Sequence, residues 1–364
     1  MNDILIINGT RPEIIKLAPL LHALRACPGL KPVWLHTGQH AEMARHTLDC
    51  FGITPDIVLS RRGSSLSDFS LGCREQLEAV LTERPWSLVI VQGDTESAFL
   101  GALAGFYHKV PVAHVEAGLR TGDLASPFPE EGLRQMIGRI ARFHFPPTTG
   151  ARDALLAEGV PAARVTVTGN TVIDAQHWIM RHHDIAPRPP EAPRRLLVTV
   201  HRRENWGTEV EEICRALAEI ARRHPEAEIR FPVHLNPVIQ KPVHDLLGGL
   251  ANVTLMAPVD YLAMQREIAG AWLLLTDSGG LQEEAPTFGV PVLVLRNETE
   301  RPEAVAAGCA RILGTDRERI LQAVEELWTD AAAYERMHRA GNPFGDGQAC
   351  ARIIDTLYRD GVLA

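Results

Sequence analysis

The chain has 364 residues, more than one typical domain holds and enough for two. It carries 37 Lys and Arg against 45 Asp and Glu, and the formal charge of -8 predicts no general affinity for nucleic acid or anionic membranes. Six widely spaced cysteines without a CxxC pair are typical of reduced thiols in the cytoplasm, not of a disulfide framework. No apolar run approaches the ~18 residues of a membrane span, and the first residues predict a strand rather than a signal peptide.

Short β-rich runs alternate with amphipathic stretches of helical length in the first half of the chain, which is typical of parallel βαβ units. The predicted strands lie near 3–8, 32–36, 88–92, 111–115 and 164–168. The predicted helices lie near 12–26, 39–51, 66–83, 95–108, 130–142 and 149–158. We therefore predict a doubly wound α/β domain over residues 1–183.

A proline-rich segment separates this series from a second one. Four prolines within 184–193 exclude a helix interior or a central strand, so 184–194 is predicted to be a linker. The second series predicts strands near 195–200, 228–233, 252–256, 272–276, 291–295 and 310–313. Its predicted helices lie near 208–223, 236–247, 260–269, 279–288 and 316–328. The second domain is then 195–345, and a last helix within about 348–364 is expected to pack back on the first domain.

Carboxylates follow the predicted strands of the first domain. In open α/β sheets, ligands bind just beyond the carboxyl ends of the strands. Asp94 and Glu116 follow neighbouring strands, and Glu130 opens the helix after 126–129. Clustered carboxylates raise one another's pKa, which suits one of them to proton transfer near neutrality. The alternative is structural: Asp94 and Glu130 cap helices, and Glu116 pairs with Arg120.

The loop 9–13 opens the first predicted helix. A helix N-terminus offers free N–H groups and a partial positive charge. Arg11, together with Lys16 one turn further on, adds cations that suit a diphosphate. An ordinary helix start with a solvated arginine is the alternative for this loop.

The run 276–284 combines a strand end, two glycines and a helix start. Ser278 and the amides of Gly279 and Gly280 form a plausible phosphate cradle. Glu284 lies one turn further in, within reach of ribose hydroxyls. Because this is neither a GxGxxG nor a Walker loop, a dinucleotide site and an ATP-driven motor are disfavoured. The alternative is a simple N-cap.

His201 follows the first predicted strand of the second domain. Its imidazole can donate to a phosphate or move a proton, and the adjacent Arg202 and Arg203 can pair with phosphate oxygens. His234 also follows a strand and gives a weaker signal. A surface ion-pair cluster is the alternative. The sequence has no HExxH and no Cys/His cluster, so no metal site is predicted.

Ten segments resemble the non-hydrolysing UDP-N-acetylglucosamine 2-epimerases over nearly the full chain. They are GTRPE (9–13), TGQH (37–40), GDT (93–95), HVEAGLRTGDLASPFPEE (114–131), TGNTVIDA (168–175), HRREN (201–205), PVHLNP (232–237), TDSGGLQEEAP (276–286), ERPEAV (300–305) and NPFGDGQA (342–349). Some are short, but their order and spacing make the combination specific. The resemblance implies two Rossmann-like domains facing a central cleft, the glycosyltransferase-B architecture. It also implies UDP held mainly by the second domain, no cofactor, no metal and a cytoplasmic homodimer.

The implied reaction interconverts UDP-N-acetylglucosamine and UDP-N-acetylmannosamine, in the service of polysaccharide biosynthesis. UDP is eliminated across C1–C2 to give 2-acetamidoglucal, and it then adds back with the opposite configuration at C2. By position, the resemblance implies that the catalytic residues are Asp94, Glu116, Glu130 and His201. The implied UDP contacts are Arg11, Lys16, Ser278, Gly279, Gly280, Glu284 and Arg301. It does not assign the acid and base roles among the carboxylates.

Bacterial members of this family are commonly activated by a second UDP-N-acetylglucosamine. Gln39, Arg202 and His234 match that second site. Ala41 and Glu42, however, replace the expected Arg and Gln. A carboxylate at position 42 would repel an anionic sugar nucleotide, so we expect weak or absent activation.

The resemblance leaves the exact sugar open. Gln92 stands where many members have His, and Leu133 where an Asn usually precedes Arg134. An epimerase acting on another UDP-2-acetamido sugar is the main alternative. A sugar transferase on the same scaffold is a weaker one, because it needs a cleft for donor and acceptor and the first domain's loops are crowded with carboxylates and basic groups. A non-catalytic sugar-nucleotide binder is also weaker, because all three carboxylates are present.

Overall fold

The computed structural model describes residues 2–363, apart from the side chains of 41–43. The chain divides into two compact units, Met1–Trp178 with Gly345–Ala364, and Ile179–Phe344. The division falls within a helix, so the proline-rich segment 184–194 belongs to the second unit.

The described residues form two β/α series. The strands are β1 (Asn2–Asn8), β2 (Leu30–His36), β3 (Ile57–Val58), β4 (Leu88–Gln92), β5 (Val112–Val115), β6 (Phe143–Phe145), β7 (Arg195–Thr199), β8 (Glu228–Pro232), β9 (Val253–Met256), β10 (Leu273–Thr276), β11 (Val292–Val294) and β12 (Ala310–Ile312). The helices are α1 (Arg11–Arg25), α2 (Ala41–Cys50), α3 (Leu66–Glu83), α4 (Glu96–Tyr107), α5 (Glu130–Ile140), α6 (Thr149–Ala157), α7 (Thr171–His182), α8 (Thr208–Arg223), α9 (Pro237–Leu247), α10 (Tyr261–Ala269), α11 (Gly279–Glu284), α12 (Pro302–Ala307), α13 (Arg317–Thr329), α14 (Ala331–His338) and α15 (Ala349–Arg359).

Each unit contains a parallel sheet with the same strand order. The first sheet runs β3-β2-β1-β4-β5-β6, and the second runs β12-β11-β10-β7-β8-β9. Numbered within its own unit, each sheet has the order 3-2-1-4-5-6 of a Rossmann fold. The order reverses between β1 and β4 and again between β7 and β10, and these are the positions where such sheets bind ligands. The predicted class, two doubly wound Rossmann-like units, is confirmed.

The central strands read as continuous apolar runs because helices cover both faces of a parallel sheet. Ile4 to Ile7 of β1 are all fully buried, as are Leu196 to Val198 of β7. Helix α4 packs closely on the first sheet, and a Cβ added to Gly101 would lie 2.8 Å from Ile7 Cδ1. None of the helices in the described residues is long and apolar enough to cross a membrane.

The C-terminal helix α15 packs against α1 in the first unit. Asp174 of α7 accepts hydrogen bonds from the backbone N–H groups of Ala349 (3.2 Å) and Cys350 (2.9 Å) at the start of α15. Arg352 donates to the carbonyl of Thr168 at 3.0 Å. The last helix is therefore fastened to the same unit as the first strand.

The strand predicted at 164–168 is wrong. The sixth strand of the first sheet is β6, and Val165 makes only an isolated parallel bridge to His144. Alternating Val and Thr in 164–168 imitate a half-buried strand, whereas the buried histidine in the middle of β6 makes that strand look polar. The sequence patterns also do not predict β3, α7, α12 and α14, of which β3 and α12 are too short for a periodic pattern. The helix predicted at 279–288 is α11 followed by a 3-10 helix over Ala285–Phe288, and the other predicted elements match the observed ones to within about two residues.

Candidate active site

The β1–α1 loop and the β4–α4 loop meet at the switch point of the first sheet. A Cβ at Gly9 would collide with the hydroxyl of Ser97, so this turn accepts only glycine. The carboxylate of Glu13 accepts hydrogen bonds from the backbone N–H groups of Gly9 (3.1 Å) and Thr10 (2.8 Å) and from the hydroxyl of Thr95 (2.8 Å). Since Thr95 follows β4, Glu13 joins the loops that carry Arg11 and Asp94.

Glu13 is fully buried at this junction. Burial raises its pKa to about 7, although hydrogen bonds from Thr10, Thr95 and Gly9 act to lower it. Its protonation therefore changes within the neutral pH range. Arg11, on the same loop, has an exposed side chain.

Glu116 follows β5 in a strained backbone conformation. Its φ of 60° lies in the left-handed region that residues other than glycine rarely adopt. The carboxylate is buried, and it forms an ion pair with Lys16, accepts from Gln92, and accepts from Asn170 Nδ2 at 3.2 Å. A Cβ at Gly93 would lie 3.7 Å from Glu116 Oε2. Glu116 is therefore held rigidly beside the loop that carries Asp94.

Arg134 connects Asp94, a member of the predicted set, to Glu131 in the first turn of α5. It donates to Asp94 and lies 3.4 Å from Glu131. Glu131 is fully buried and accepts from the backbone N–H of Thr121 at 3.0 Å. Glu130 begins α5 and is half-buried, and its side chain forms no hydrogen bond or ion pair with another described residue. Asp94, Glu116 and the start of α5 thus gather at one edge of the first sheet.

The structural alternative predicted an ion pair between Glu116 and Arg120, and this pairing is wrong. Arg120 donates to both oxygens of Glu158, at 2.6 and 3.0 Å. Glu116 pairs instead with Lys16. A predicted cationic contact of UDP is therefore already bound to a predicted catalytic carboxylate.

Asp277 fastens the loop that follows β7 to the end of β10. Its Oδ2 accepts from the backbone N–H groups of His201 (2.9 Å) and Arg202 (2.8 Å) and from Asn205 Nδ2 (3.0 Å). Its Oδ1 lies 2.9 Å from His201 Nδ1. Burial acts to raise the pKa of Asp277, but the contact with His201 and the backbone N–H groups outweigh it and hold that pKa below the usual value.

Two guanidiniums converge on the start of α11. Ser278 is the N-cap, and Gly279 and Gly280 are the first two helical residues. A Cβ at Gly279 would lie 3.7 Å from Arg202 NH2 and 3.9 Å from Arg301 NH2. The Nε of Arg202 is buried and has no hydrogen-bond partner among the described residues. Helix amides and guanidiniums are groups that suit an anion, so we call this place the anion site.

Two carboxylates of α11 bind neighbouring side chains around this anion site. Glu283 forms an ion pair with Arg301 and so fixes one of the two guanidiniums. Glu284 is buried and accepts a hydrogen bond from Gln265. Within the described part of the chain, no three His, Cys, Asp or Glu side chains are grouped as a metal site.

The residues predicted for a second ligand are divided between the units. In the first, Gln39 accepts from the hydroxyl of Ser97 at 2.6 Å. In the second, Arg202 belongs to the anion site, and His234 is exposed and accepts from the backbone N–H of Asn236 at 3.1 Å. The side chain of Glu42 lies outside the described residues. The second-ligand site remains a prediction.

Sequence reasoning assigns no role to three residues that organise these loops. Glu13 completes a capping box with Thr10, and the T-x-x-E pattern was a visible signal for it. Asp277 enters only as a possible helix cap in the alternative for 276–284, whereas Ser278 is the N-cap, and the contacts of Asp277 across the sheet leave no trace in local spacing. Asn170 contacts Glu116 from a distant part of the chain, which no spacing rule reveals.

Comparison with known proteins gives one consistent family. The sequence model of the family described as UDP-N-acetylglucosamine 2-epimerase matches residues 22–358. The UDP-N-acetylglucosamine 2-epimerases of Yersinia pestis and Escherichia coli K12 are 48% and 47% identical, and each alignment covers 97% of this chain and 98% of the relative. The Neisseria meningitidis UDP-GlcNAc 2-epimerase, solved with UDP-GlcNAc bound, is 38% identical with a TM-score of 0.87, over 98% of this chain and 100% of that one. Staphylococcus aureus MnaA, solved with UDP, is 40% identical with a TM-score of 0.84, over 100% and 98%. The chain therefore belongs to the UDP-N-acetylglucosamine 2-epimerase family.

Proposed function

We propose that this protein is a non-hydrolysing epimerase that interconverts UDP-N-acetylglucosamine and UDP-N-acetylmannosamine. The observation that carries the proposal is the division of chemistry between the two switch points. Asp94, Glu116 and the start of α5, where Glu130 lies, belong to the first, while two arginines and His201 belong to the second. Proton transfer and diphosphate binding are the two requirements of an elimination of UDP. The relatives named for this epimerisation support the choice of sugar.

Elimination and re-addition avoid a direct inversion at C2. A protein base takes the C2 proton, the C–H electron pair forms the C1=C2 bond, and the C1–O bond breaks with its pair on the β-phosphate oxygen of UDP. The intermediate is 2-acetamidoglucal. Re-addition delivers a proton to the other face of C2 while UDP re-forms the C1–O bond. The overall reaction neither consumes nor releases a redox equivalent.

The carboxylates of the first unit suit the proton transfers. Glu116 is held by Lys16, Gln92 and Asn170, so its position is fixed before substrate binds. Asp94 is oriented by Arg134. Glu130 has no such partner among the described residues, and its carboxyl is available to a substrate. We propose these three as the acid and base groups, without dividing the roles among them.

The second unit suits the departing diphosphate. Arg301 and the α11 residues Ser278, Gly279 and Gly280 offer charge-assisted hydrogen bonds to phosphate oxygens. Glu284 is proposed to bind the ribose hydroxyls, and Arg11 and Lys16 are proposed as further UDP contacts. His201 is proposed to act on the diphosphate oxygen that takes the electron pair.

Proton NMR of purified protein with UDP-N-acetylglucosamine tests the proposal. We expect both C2 epimers to reach a constant ratio with no NAD, acceptor or metal added. Appearance of free N-acetylmannosamine and UDP as the final products would show hydrolysis and contradict it. Conversion of a different UDP-2-acetamido sugar in preference to this one would redirect the substrate assignment and leave the chemistry intact.

We also propose a cytoplasmic homodimer formed through the first unit. Helix α4 packs between α3 and α5, and these three helices expose Leu71 (73%), Phe106 (52%), Tyr107 (56%) and Met136 (45%). Several exposed apolar side chains on adjacent helices are typical of protein–protein interfaces. Light scattering on the wild type and on Phe106→Asp tests this. A wild-type monomer, or a variant that stays dimeric, would contradict the assignment of the face.

A further inference from the structure

The side chains of Asp277 and His201 contact each other, and neither a helix cap nor a loop anchor requires this contact. Asp277 is fully buried, and the side chain of His201 is 42% exposed. The two side chains meet through Oδ1 and Nδ1 at 2.9 Å. One ring nitrogen therefore faces a buried carboxylate, which leaves Nε2 on the exposed side.

The orientation of Asp277 is fixed by the other oxygen. Oδ2 accepts from two backbone N–H groups and one side-chain amide, all of which can only donate. Oδ1 is consequently presented to His201 in one way. Oδ1 has no aligned hydrogen bond among the described residues, but its negative charge lies 2.9 Å from Nδ1, so it attracts a proton on that nitrogen and repels a lone pair there.

Asp277 stays an acceptor at neutral pH. Burial alone would favour its protonated form, but the contacts from His201 and the loop N–H groups hold its pKa below the usual value. The same carboxylate fixes the backbone of Arg202, whose guanidinium lies over Gly279. One buried side chain thus sets both the imidazole and an arginine of the anion site.

We propose that Asp277 is a positioning residue that keeps a proton on His201 Nδ1 and presents Nε2 to a phosphate oxygen of UDP. The identity of that oxygen rests on the proposed function, whereas the tautomer does not. As the C1–O bond breaks, its electron pair passes to the β-phosphate oxygen, and the imidazolium donates its Nε2 proton to that oxygen. In re-addition, neutral Nε2 takes the proton back as the C1–O bond forms.

Nitrogen-15 NMR of the ligand-free protein with labelled histidine reads the tautomer directly. His201→Gln identifies the His201 signals by their disappearance. We expect the neutral ring of the wild type to carry its proton on Nδ1, with Nε2 unprotonated. A neutral ring protonated on Nε2 would overturn the proposal, whatever the enzyme does.

Asp277→Asn tests the role of the carboxylate. Three donors hold the amide oxygen at the position of Oδ2, so the NH2 group replaces Oδ1 and faces Nδ1. The neutral ring should then change to the Nε2-protonated tautomer, and kcat should fall by roughly 10²–10⁴-fold, the scale of a wrongly held histidine tautomer. The Kd for UDP should change by less than about tenfold, since Arg301 and α11 remain. An unchanged tautomer or an unchanged kcat would overturn the proposal.

Asn205→Ala is the matched control. Asn205 donates to the same Oδ2 and to the carbonyl of Leu295, both at 3.0 Å, so its loss loosens the loop without a new donor at Nδ1. We expect the wild-type tautomer and a fall in kcat of less than about tenfold. A loss in Asn205→Ala as large as in Asp277→Asn would mean that Asp277 acts only by holding the loop. Wild-type protein with no epimerase activity but with Nδ1 protonated would refute the proposed function and leave the tautomer assignment standing.

Discussion

The switch points of the two sheets are held in the same way, by a buried carboxylate, but the residues gathered there differ in charge. At each of them a buried carboxylate ties the backbone of the loop that carries site residues: Glu13 in the first unit and Asp277 in the second. The pKa of Glu13 is raised to about 7, whereas that of Asp277 is held below its usual value. Burial disfavours the ionised form of both carboxylates and so acts to raise both pKa values. Glu13 has only neutral donors, while Asp277 also contacts an imidazole that can carry a positive charge.

The comparison shows how one strand order supports opposite chemistry. The first switch point gathers carboxylates that suit proton transfer, and the second gathers an imidazole and guanidiniums that suit an anion. The strand order only determines where loops converge. The residues that follow each strand determine which chemistry the converging loops can carry out.

The largest expected effect follows from removing the carboxylates of the first unit. Asp94→Asn, Glu116→Gln and Glu130→Gln should each lower kcat by roughly 10²-fold or more, the usual scale of a lost acid or base. Because we assign UDP binding mainly to the second unit, its affinity should change far less. Steady-state kinetics and UDP calorimetry separate the two effects. Near-normal kcat in all three variants would mean that the carboxylates are structural.

The next prediction concerns Glu13 and pH. Its pKa is raised in the folded state, from 4.5 to about 7, so its contribution to stability is complete below pH 4.5 and is lost as pH rises through 7. The loss is at most about 3 kcal/mol in the free energy of unfolding. Glu13→Gln does not titrate, so the difference in stability between wild type and variant should shift by that amount between pH 4.5 and 8.

Urea unfolding of both proteins across that pH range measures the shift. Asp316→Asn, which removes an exposed N-cap carboxylate of α13 in the second unit, is the control for the loss of a carboxylate away from this junction. A pH-independent difference between wild type and Glu13→Gln would contradict the account of this junction.

The smallest of the three effects concerns Arg301 in the anion site. Loss of one charged contact to a phosphate weakens binding by about 1.5–3 kcal/mol, so Arg301→Ala should raise the Kd for UDP by roughly 10- to 100-fold. Arg311→Ala is the control, because Arg311 pairs with Glu326 on the surface at 2.9 Å. Calorimetry with UDP that shows equal affinity in both variants would remove Arg301 from the site.

Much of the fold could be predicted from local patterns, because apolar runs and helix starts depend on residues that are neighbours in the sequence. Helix α3 and strand β4 agree with the prediction at both ends. The strand at 164–168 failed since an alternating pattern cannot tell a strand from an extended segment at a sheet edge. The motifs located the loops and the family, and the family model confirmed the resemblance.

The contacts that organise the candidate site were beyond sequence reasoning. Gln92 appeared only as a departure from the family pattern, yet it donates to Glu116. Lys16 pairs with the same carboxylate across 100 positions of the chain. Such contacts depend on which strands are neighbours, and this is decided by the packing of the whole unit and not by spacing.

Epimerisation in D2O tests the central claim most directly. If a protein base removes the C2 proton and the glucal forms, UDP-N-acetylmannosamine made from UDP-N-acetylglucosamine should carry deuterium at C2 in nearly every molecule. Proton NMR of the C2 position measures it. Product that retains the original hydrogen at C2 would contradict elimination through a protein base.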